Sequence, residues 1–136
     1  MADKITFELV SPERLLLSRA VEMVVVPGSE GDFGVLPDHA PLISTVRPGI
    51  IEVYDDGKVT ERIFVAGGFA EVNPERCTVL AEVAMPVDEI DRAQVEAELK
   101  DLADDLAAAK TDDDREDVQA KIHVAESKLQ AVSAVH

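Results

Sequence analysis

The sequence predicts an α+β chain: an N-terminal antiparallel β-sandwich, or flattened barrel, over residues 1–86, followed by a C-terminal antiparallel α-helical hairpin over residues 87–136. Three observations predict it. Apolar residues recur at every second position before Pro86 and at every third or fourth position after it. Turn-forming dipeptides punctuate the first part at short intervals, and two segments of the second part open on helix-capping residues.

Strands come first. Ile5, Phe7 and Leu9 alternate with polar neighbours, and Val21, Met23 and Val25 repeat the pattern. Ile51 and Val53 lead into Asp55-Asp56-Gly57, a strong hairpin-turn signal from which Val59, Ile63 and Val65 depart. Further strands fit Phe69 to Val72 and Cys77 to Val83, separated by Pro27-Gly28, Pro48-Gly49, Gly67-Gly68 and Asn73-Pro74. Many short strands at this spacing predict a closed two-sheet sandwich over residues 3 to 84.

Helices follow, over residues 88 to 134. Asp88, with Asp91 three residues later, can open a helix whose stripe is Leu99, Leu102 and Leu106 and whose end falls near Lys110. Thr111 with Asp114 opens a second, carrying Val118, Ile122, Ala125, Leu129 and Val132. Both seams are alanine-rich and thin, and buried apolar surface stabilises at only about 25 cal/mol per Å². Such a hairpin is marginally stable alone.

Composition narrows function. A length of 136 residues fits one compact domain with an appendage and leaves no room for a large active-site cavity. Acidic residues number 28 against 13 basic ones, and the net charge of −15 repels nucleic-acid phosphates and anionic lipid headgroups. Direct nucleic-acid binding is therefore not expected. Hydrophobic residues make up 46 % but tryptophan is absent, so aliphatic packing must dominate the core. The opening Met-Ala-Asp-Lys has no basic stretch leading into an apolar run, so no signal peptide is expected, and the longest uncharged apolar run, Met23 to Pro27, is too short to cross a bilayer.

Chemistry-bearing patterns are scarce. His39, His123 and His136 have no metal-ligand spacing to one another or to Cys77, which reads as a buried strand thiol in a reducing compartment. Gly28 to Gly34 lacks the Lys-Ser/Thr ending of a phosphate loop, and Glu30 and Asp32 would repel phosphate. Ser11, Ser18, Ser29 and Ser44 stand in no nucleophile elbow, and Asp112-Asp113-Asp114 is not followed by the Gly and Glu of an EF-hand. Neither a catalytic residue, a cofactor nor a metal is expected. The acidic turn at Glu30 and Asp32 reads as an exposed element suited to meeting basic loops.

One stretch is specific. Residues 24 to 44, Val-Val-Val-Pro-Gly-Ser-Glu-Gly-Asp-Phe-Gly-Val-Leu-Pro-Asp-His-Ala-Pro-Leu-Ile-Ser, closely resemble the epsilon subunit of F-type ATP synthases. Leu9 to Glu13, Arg47-Pro48-Gly49, Phe64 to Val72 and Thr78 to Glu82 match the same family, strongly to Glu82 and more loosely through the hairpin. The resemblance implies a non-catalytic central-stalk subunit, peripheral to the cytoplasmic face of the bacterial inner membrane, that couples proton flow to ATP synthesis by gripping the gamma subunit and sitting on the ring of c subunits. Residue by residue it carries c-ring contact to Glu30 and Asp32, and gamma contact to Ser11, His39 and Ser44.

The family's hairpin often regulates, reaching into the alpha/beta catalytic hexamer to block hydrolysis or folding around ATP, which gives the alternative of a nucleotide-responsive switch. Glu82, Asp91 and Arg92 are the residues for a weak ATP site. ATP-binding members carry Ile/Leu-Asp-x-x-Arg-Ala, whereas this chain reads Ile90-Asp91-Arg92-Ala93, and a two-residue displacement turns a side chain roughly 200° around a helix. Residues 88 to 136 contain fourteen acidic and six basic residues, so an inhibitory insertion that relies on a basic second helix is disfavoured.

Overall fold

The computed structural model describes residues 3–135; Met1, Ala2 and His136, which entered the reading of the N-terminus and of the histidines, lie outside them. The chain divides into two compact units, residues 1–86 and 87–136.

The first unit holds β1 (Ile5–Val10), β2 (Leu15–Val21), β3 (Met23–Gly28), β4 (Gly31–Val35), β5 (Leu42–Thr45), β6 (Gly49–Asp55), β7 (Lys58–Val72) and β8 (Arg76–Pro86). They form one hydrogen-bonded sheet in the order β2-β1-β8-β7-β6-β3-β4, with β5 paired to β7 off this path. Pairing is antiparallel except between β1 and β8. The expected two-sheet sandwich, or flattened barrel, is built from one continuous ladder, because β7 is long enough to serve both halves. Its first part pairs with β6, Gly49 opposite Val65, and its last part with β5, Thr45 opposite Phe69.

Alternation explains the core. Ile5, Phe7 and Leu9 are buried while Thr6, Glu8 and Val10 are half-buried, as a strand with one face inward requires. Seventeen buried residues drawn from seven of the strands and from Val46 make one cluster, so the sheet must curl around it. Side chains close the curl where the ladder does not. Arg19 on β2 donates to Thr60 Oγ1 (2.8 Å) and lies 3.2 Å from Glu61 on β7, and Lys4 lies 3.1 Å from Asp55 at the β6–β7 turn. Asp56 (φ 53°) and Gly57 (φ 72°) both adopt the left-handed region in that turn, as the Asp-Gly signal predicts.

Three strands were not foreseen: β4, β5 and most of β2. Residues 21 to 25 read as one alternating strand but belong to two, because Val21 ends β2 opposite Ile5 and Met23 opens β3 opposite Tyr54. Leu15, Leu16 and Leu17 show no alternation because the β1–β2 register shifts between Leu9 and Val10, which brings both Leu16 and Leu17 against the core.

In the second unit, Val87–Glu89 form a 3₁₀ turn, α1 spans Arg92–Ala108 and α2 spans Asp112–Val135. Asp88 is therefore not the first helix's cap. It is absorbed in the 3₁₀ turn, whereas Asp91 has the extended backbone a cap needs (φ −93°, ψ 110°) and accepts from the Gln94 N–H at 3.3 Å. Extended Ala109 stops α1 before Lys110. Thr111 caps α2 as expected, its Oγ1 accepting from the Asp114 N–H at 3.0 Å. Arg92 donates to Ser133 Oγ at 3.0 Å, tying the start of α1 to the end of α2, so the pair runs antiparallel. Leu102, Ala125 and Val132 are buried, but Leu99, Leu106, Val118, Ile122 and Leu129 only half so. No helix of the described residues is long and apolar enough to cross a membrane.

The bend in β7 rests on Gly67 (φ 74°) and Gly68 (φ 95°), and a Cβ at Gly68 would overlap the Leu80 carbonyl oxygen on β8. We expect Gly68→Ala to lower the unfolding free energy by at least about 3 kcal/mol, since left-handed strain and backbone overlap add. Urea denaturation would measure it; a midpoint within error of wild type would show that the bend tolerates a side chain.

Candidate partner interface

The sheet has a face that its core does not use. Thr45 on β5 stands opposite Phe69 on β7, Phe69 opposite Leu80 on β8, Leu80 opposite Val10 on β1, and Val10 opposite Leu15 on β2. Residues opposite one another share a face, and the buried Ala70, Val79 and Leu9 alternate to the other side. An apolar row therefore crosses the outside of the sheet: Leu15, Val10, Leu80 and Phe69, with Ile43 two residues along β5 from Thr45. Leu15 is 55 % exposed, Phe69 42 % and Ile43 71 %. Contiguous apolar surface held by rigid strands, flanked here by Glu8, Glu71 and Arg76, is the composition of a protein interface.

Ser11, expected to meet a partner, directly follows Val10 in the chain, at the end of β1. Its N–H donates to the Arg14 carbonyl (2.9 Å) and so does its hydroxyl (3.2 Å), closing the β1–β2 turn. His39 lies in the β4–β5 loop, beyond the other end of the row. Asp38, beside it, has φ 67° and donates its N–H to the Pro74 carbonyl (2.8 Å), which fastens the loop to the β7–β8 turn. His39 Nδ1 lies 2.7 Å from the Ala40 carbonyl, and because a carbonyl can only accept, Nδ1 carries the hydrogen. Ser44 stands opposite the buried Ala70, so it points to the other side of β5 from Ile43 and Thr45. Ser11 thus closes the turn beside the row, His39 lies in the β4–β5 loop, and Ser44 alternates to the side of β5 opposite Ile43 and Thr45. Phe69, Leu80, Ile43 and Leu15 were missed, because their shared face depends on cross-strand register, which no local pattern contains.

The acidic turn caps the β3–β4 hairpin, where Gly28 pairs with Gly31 around Ser29 and Glu30. Glu30 is exposed. Asp32 is ion-paired to Arg47, whose guanidinium also donates to the Gly28 carbonyl at 2.6 Å. Between this turn and β5 lies an open groove of about 490 Å³, with Glu30, Asp32 and Phe33 on one side and Leu42, Ile43 and Thr45 on the other.

Of the residues named for nucleotide, exposed Glu82 belongs to the first unit and lies over Gly67, while Asp91 and Arg92 belong to the second, one as a helix cap and the other bonded to Ser133. Glu22, Asp55 and Asp56 gather their oxygens within 4.8 Å at the β6–β7 turn. Lys4 answers Asp55, and the Gly57 N–H donates to Glu22 at 3.0 Å, so the cluster organises that turn.

The fold defines a class, the small β-sandwich followed by two C-terminal helices. Residues 4–87 match the family described as the ATP synthase Delta/Epsilon chain beta-sandwich domain. The whole chain is 56 % identical over 133 residues to the ATP synthase epsilon chain of Paramagnetospirillum magneticum, covering 98 % of this chain and 100 % of that one. It is 53 % identical over 131 residues to the ATP synthase epsilon chain of Rhodospirillum rubrum, covering 96 % and 98 %. In fold it is similar to a chain of the Euglena gracilis mitochondrial ATP synthase OSCP/F1/c-ring structure (TM-score 0.81, 24 % identity, 100 % of this chain and 84 % of that one). A chain of the Tetrahymena thermophila mitochondrial ATP synthase central stalk/c-ring structure also shares the fold (TM-score 0.67, 14 % identity, 95 % and 96 % covered).

This chain belongs to the epsilon chain family of ATP synthase, and it is a non-catalytic subunit.

Cys77 takes no part in the surface. It is fully buried, and burial pushes its thiol up from 9.0 to about 12. Between those values the unfolded chain releases a proton that the folded chain keeps, so this group's contribution to stability falls as pH rises above 9.0. Wild type should lose stability relative to Cys77→Ala at about 1.4 kcal/mol per pH unit from pH 9 upward, read from paired urea titrations. Parallel pH profiles for the two proteins would contradict it.

Proposed function

We propose that this chain is a central-stalk subunit of a proton-translocating F-type ATP synthase, binding the gamma subunit and the c-ring and so coupling proton flow to ATP synthesis. It works peripherally at the cytoplasmic face of a bacterial inner membrane, attached through the complex. The observation that carries the reading is the exposed apolar row across the outer sheet face. A chain with net charge −15 has little reason to hold Ile43 and Phe69 in solvent unless a partner covers them. Gamma is that partner in this reading, with Ser11 and His39 at the borders of the contact and Ile43 and Thr45 taking the role first given to Ser44. The acidic turn that carries Glu30 and Asp32 supplies the second contact, toward the c-ring.

Rigidity supports the same reading. A torque-bearing element must not yield, and the row stands on strands whose inner faces are packed in one core. Phe69→Ser combined with Ile43→Ser should weaken gamma binding by roughly tenfold or more, because buried apolar anchors dominate interface energetics, and should leave the thermal midpoint unchanged. Undiminished gamma affinity in a pull-down titration would sink this assignment.

The hairpin's role in this proposal is mainly mechanical. From Arg115 onward α2 carries Arg115, Lys121 and Lys128 against Glu116, Asp117 and Glu126, which cancel, and three aspartates precede them. Contact with acidic segments of an alpha/beta hexamer gains nothing from that pattern. A nucleotide-driven switch is less well supported, because Asp91 and Arg92 would have to give up their bonds to Gln94 and Ser133. Deleting residues 88 to 136 should raise ATP hydrolysis by the soluble catalytic complex by less than about twofold. Several-fold activation would assign the hairpin an inhibitory function.

A further inference from the structure

The acidic turn is built from residues that give it little stiffness of its own. Pro27 brings no N–H, and the two-residue loop Ser29-Glu30 is flanked by Gly28 and by Gly31, whose φ is 134°. What holds the turn comes from the β5–β6 connection. The Thr45 carbonyl accepts from the Ser29 N–H at 2.9 Å, Thr45 Oγ1 donates to Ser29 Oγ at 2.8 Å, and the Arg47 N–H donates to the Pro27 carbonyl at 2.9 Å. The Arg47 guanidinium then spans both strands of the hairpin, one nitrogen on the Gly28 carbonyl of β3 and the other on the Asp32 carboxylate of β4.

We propose that Arg47 is the positioning residue of the turn and that Asp32 acts through it, as the anchor of a clamp that aims Glu30, rather than as a direct contact with the ring. The second half rests on the reading that this turn meets the c-ring. An exposed ion pair by itself stabilises little. Here geometry matters more than energy, because a planar guanidinium serves two acceptors on neighbouring strands at once and fixes the angle between them. Lysine, with a single ammonium centre, cannot do so in the same way. The clamp also explains why one of the two carboxylates in the turn is already neutralised while Glu30, at its tip, carries a free charge into solvent.

Two measurements test this together. In the isolated full-length subunit, hydrogen exchange of the Ser29 amide should accelerate roughly tenfold in Arg47→Ala, in Arg47→Lys and in Asp32→Asn, at nearly unchanged thermal midpoint, while Asp32→Glu stays as protected as wild type. In the reconstituted complex, proton pumping per ATP hydrolysed should fall in the same three variants and be retained in Asp32→Glu. Unaltered Ser29 exchange in both Arg47→Lys and Asp32→Asn would overturn the clamp. Reduced pumping in Asp32→Asn with Ser29 still protected would make Asp32 a direct contact and overturn the proposal as well. Glu30→Lys separates the two layers: undiminished pumping in that variant would defeat the ring reading, and the exchange result would still decide the clamp.

Discussion

A single apolar core enclosed by one continuous sheet is the constraint on which the first unit depends. To enclose it, β7 must pair along its length with β6, β5 and β8, and it can do so only by bending where β8 passes closest. The bend is Gly67-Gly68, and it is tight enough that the Leu80 backbone occupies the space a side chain at Gly68 would need. Beyond that point β7 pairs with β5, Thr45 opposite Phe69, and this pairing brings β5 beside the outer apolar row. The outer apolar row thus follows from how strands are paired around the core.

Inside and outside are chemically separate. Aliphatic side chains fill the interior and no charged or polar residue is fully buried among the described residues, so the core contributes stability without electrostatic specificity. Charges are placed at the seams: Arg19 with Glu61, Arg62 with Glu52, Arg76 with Glu8, and Arg47 with Asp32. Exposed pairs of this kind stabilise little one by one. Their value lies in register: Arg62 with Glu52 and Arg76 with Glu8 reinforce paired strands, whereas Arg19 with Glu61 and Arg47 with Asp32 join segments that no ladder pairs. The remaining acidic excess keeps the surface soluble and unattractive to nucleic acid, which leaves the apolar row as the surface best suited to a protein partner.

The hairpin obeys a different logic. Its helices begin where side chains can cap them, at Asp91 and Thr111, and they meet through a seam of which few positions are fully buried. Helical stability in such a unit comes from local capping and a narrow stripe rather than from a deep core. The abundance of carboxylates along it denies the electrostatic attraction that insertion among other acidic segments would need.

Much of the fold was legible in the sequence because the signals were local. Period-two alternation marked β1, β6 and the halves of β7, Asp-Gly marked the β6–β7 turn, and Thr111 marked the start of α2, each through residues adjacent in the chain. Local signals also failed for local reasons: the register shift at Leu9 and Val10 erased the alternation of Leu15 to Leu17, and a 3₁₀ turn swallowed Asp88. The candidate site was half legible. The acidic turn stands out by composition and its signature residues carry the family, whereas the outward face shared by Phe69 and Leu80 is invisible in the chain. What the sequence determined by itself was the kind of each segment, the charge of each unit and the family. What only the tertiary structure decided was which side chains stand opposite which, so that Arg47 falls on Asp32 and Phe69 on Leu80. Pairing across strands is set by the closing of a shared core, and no segment contains that information alone.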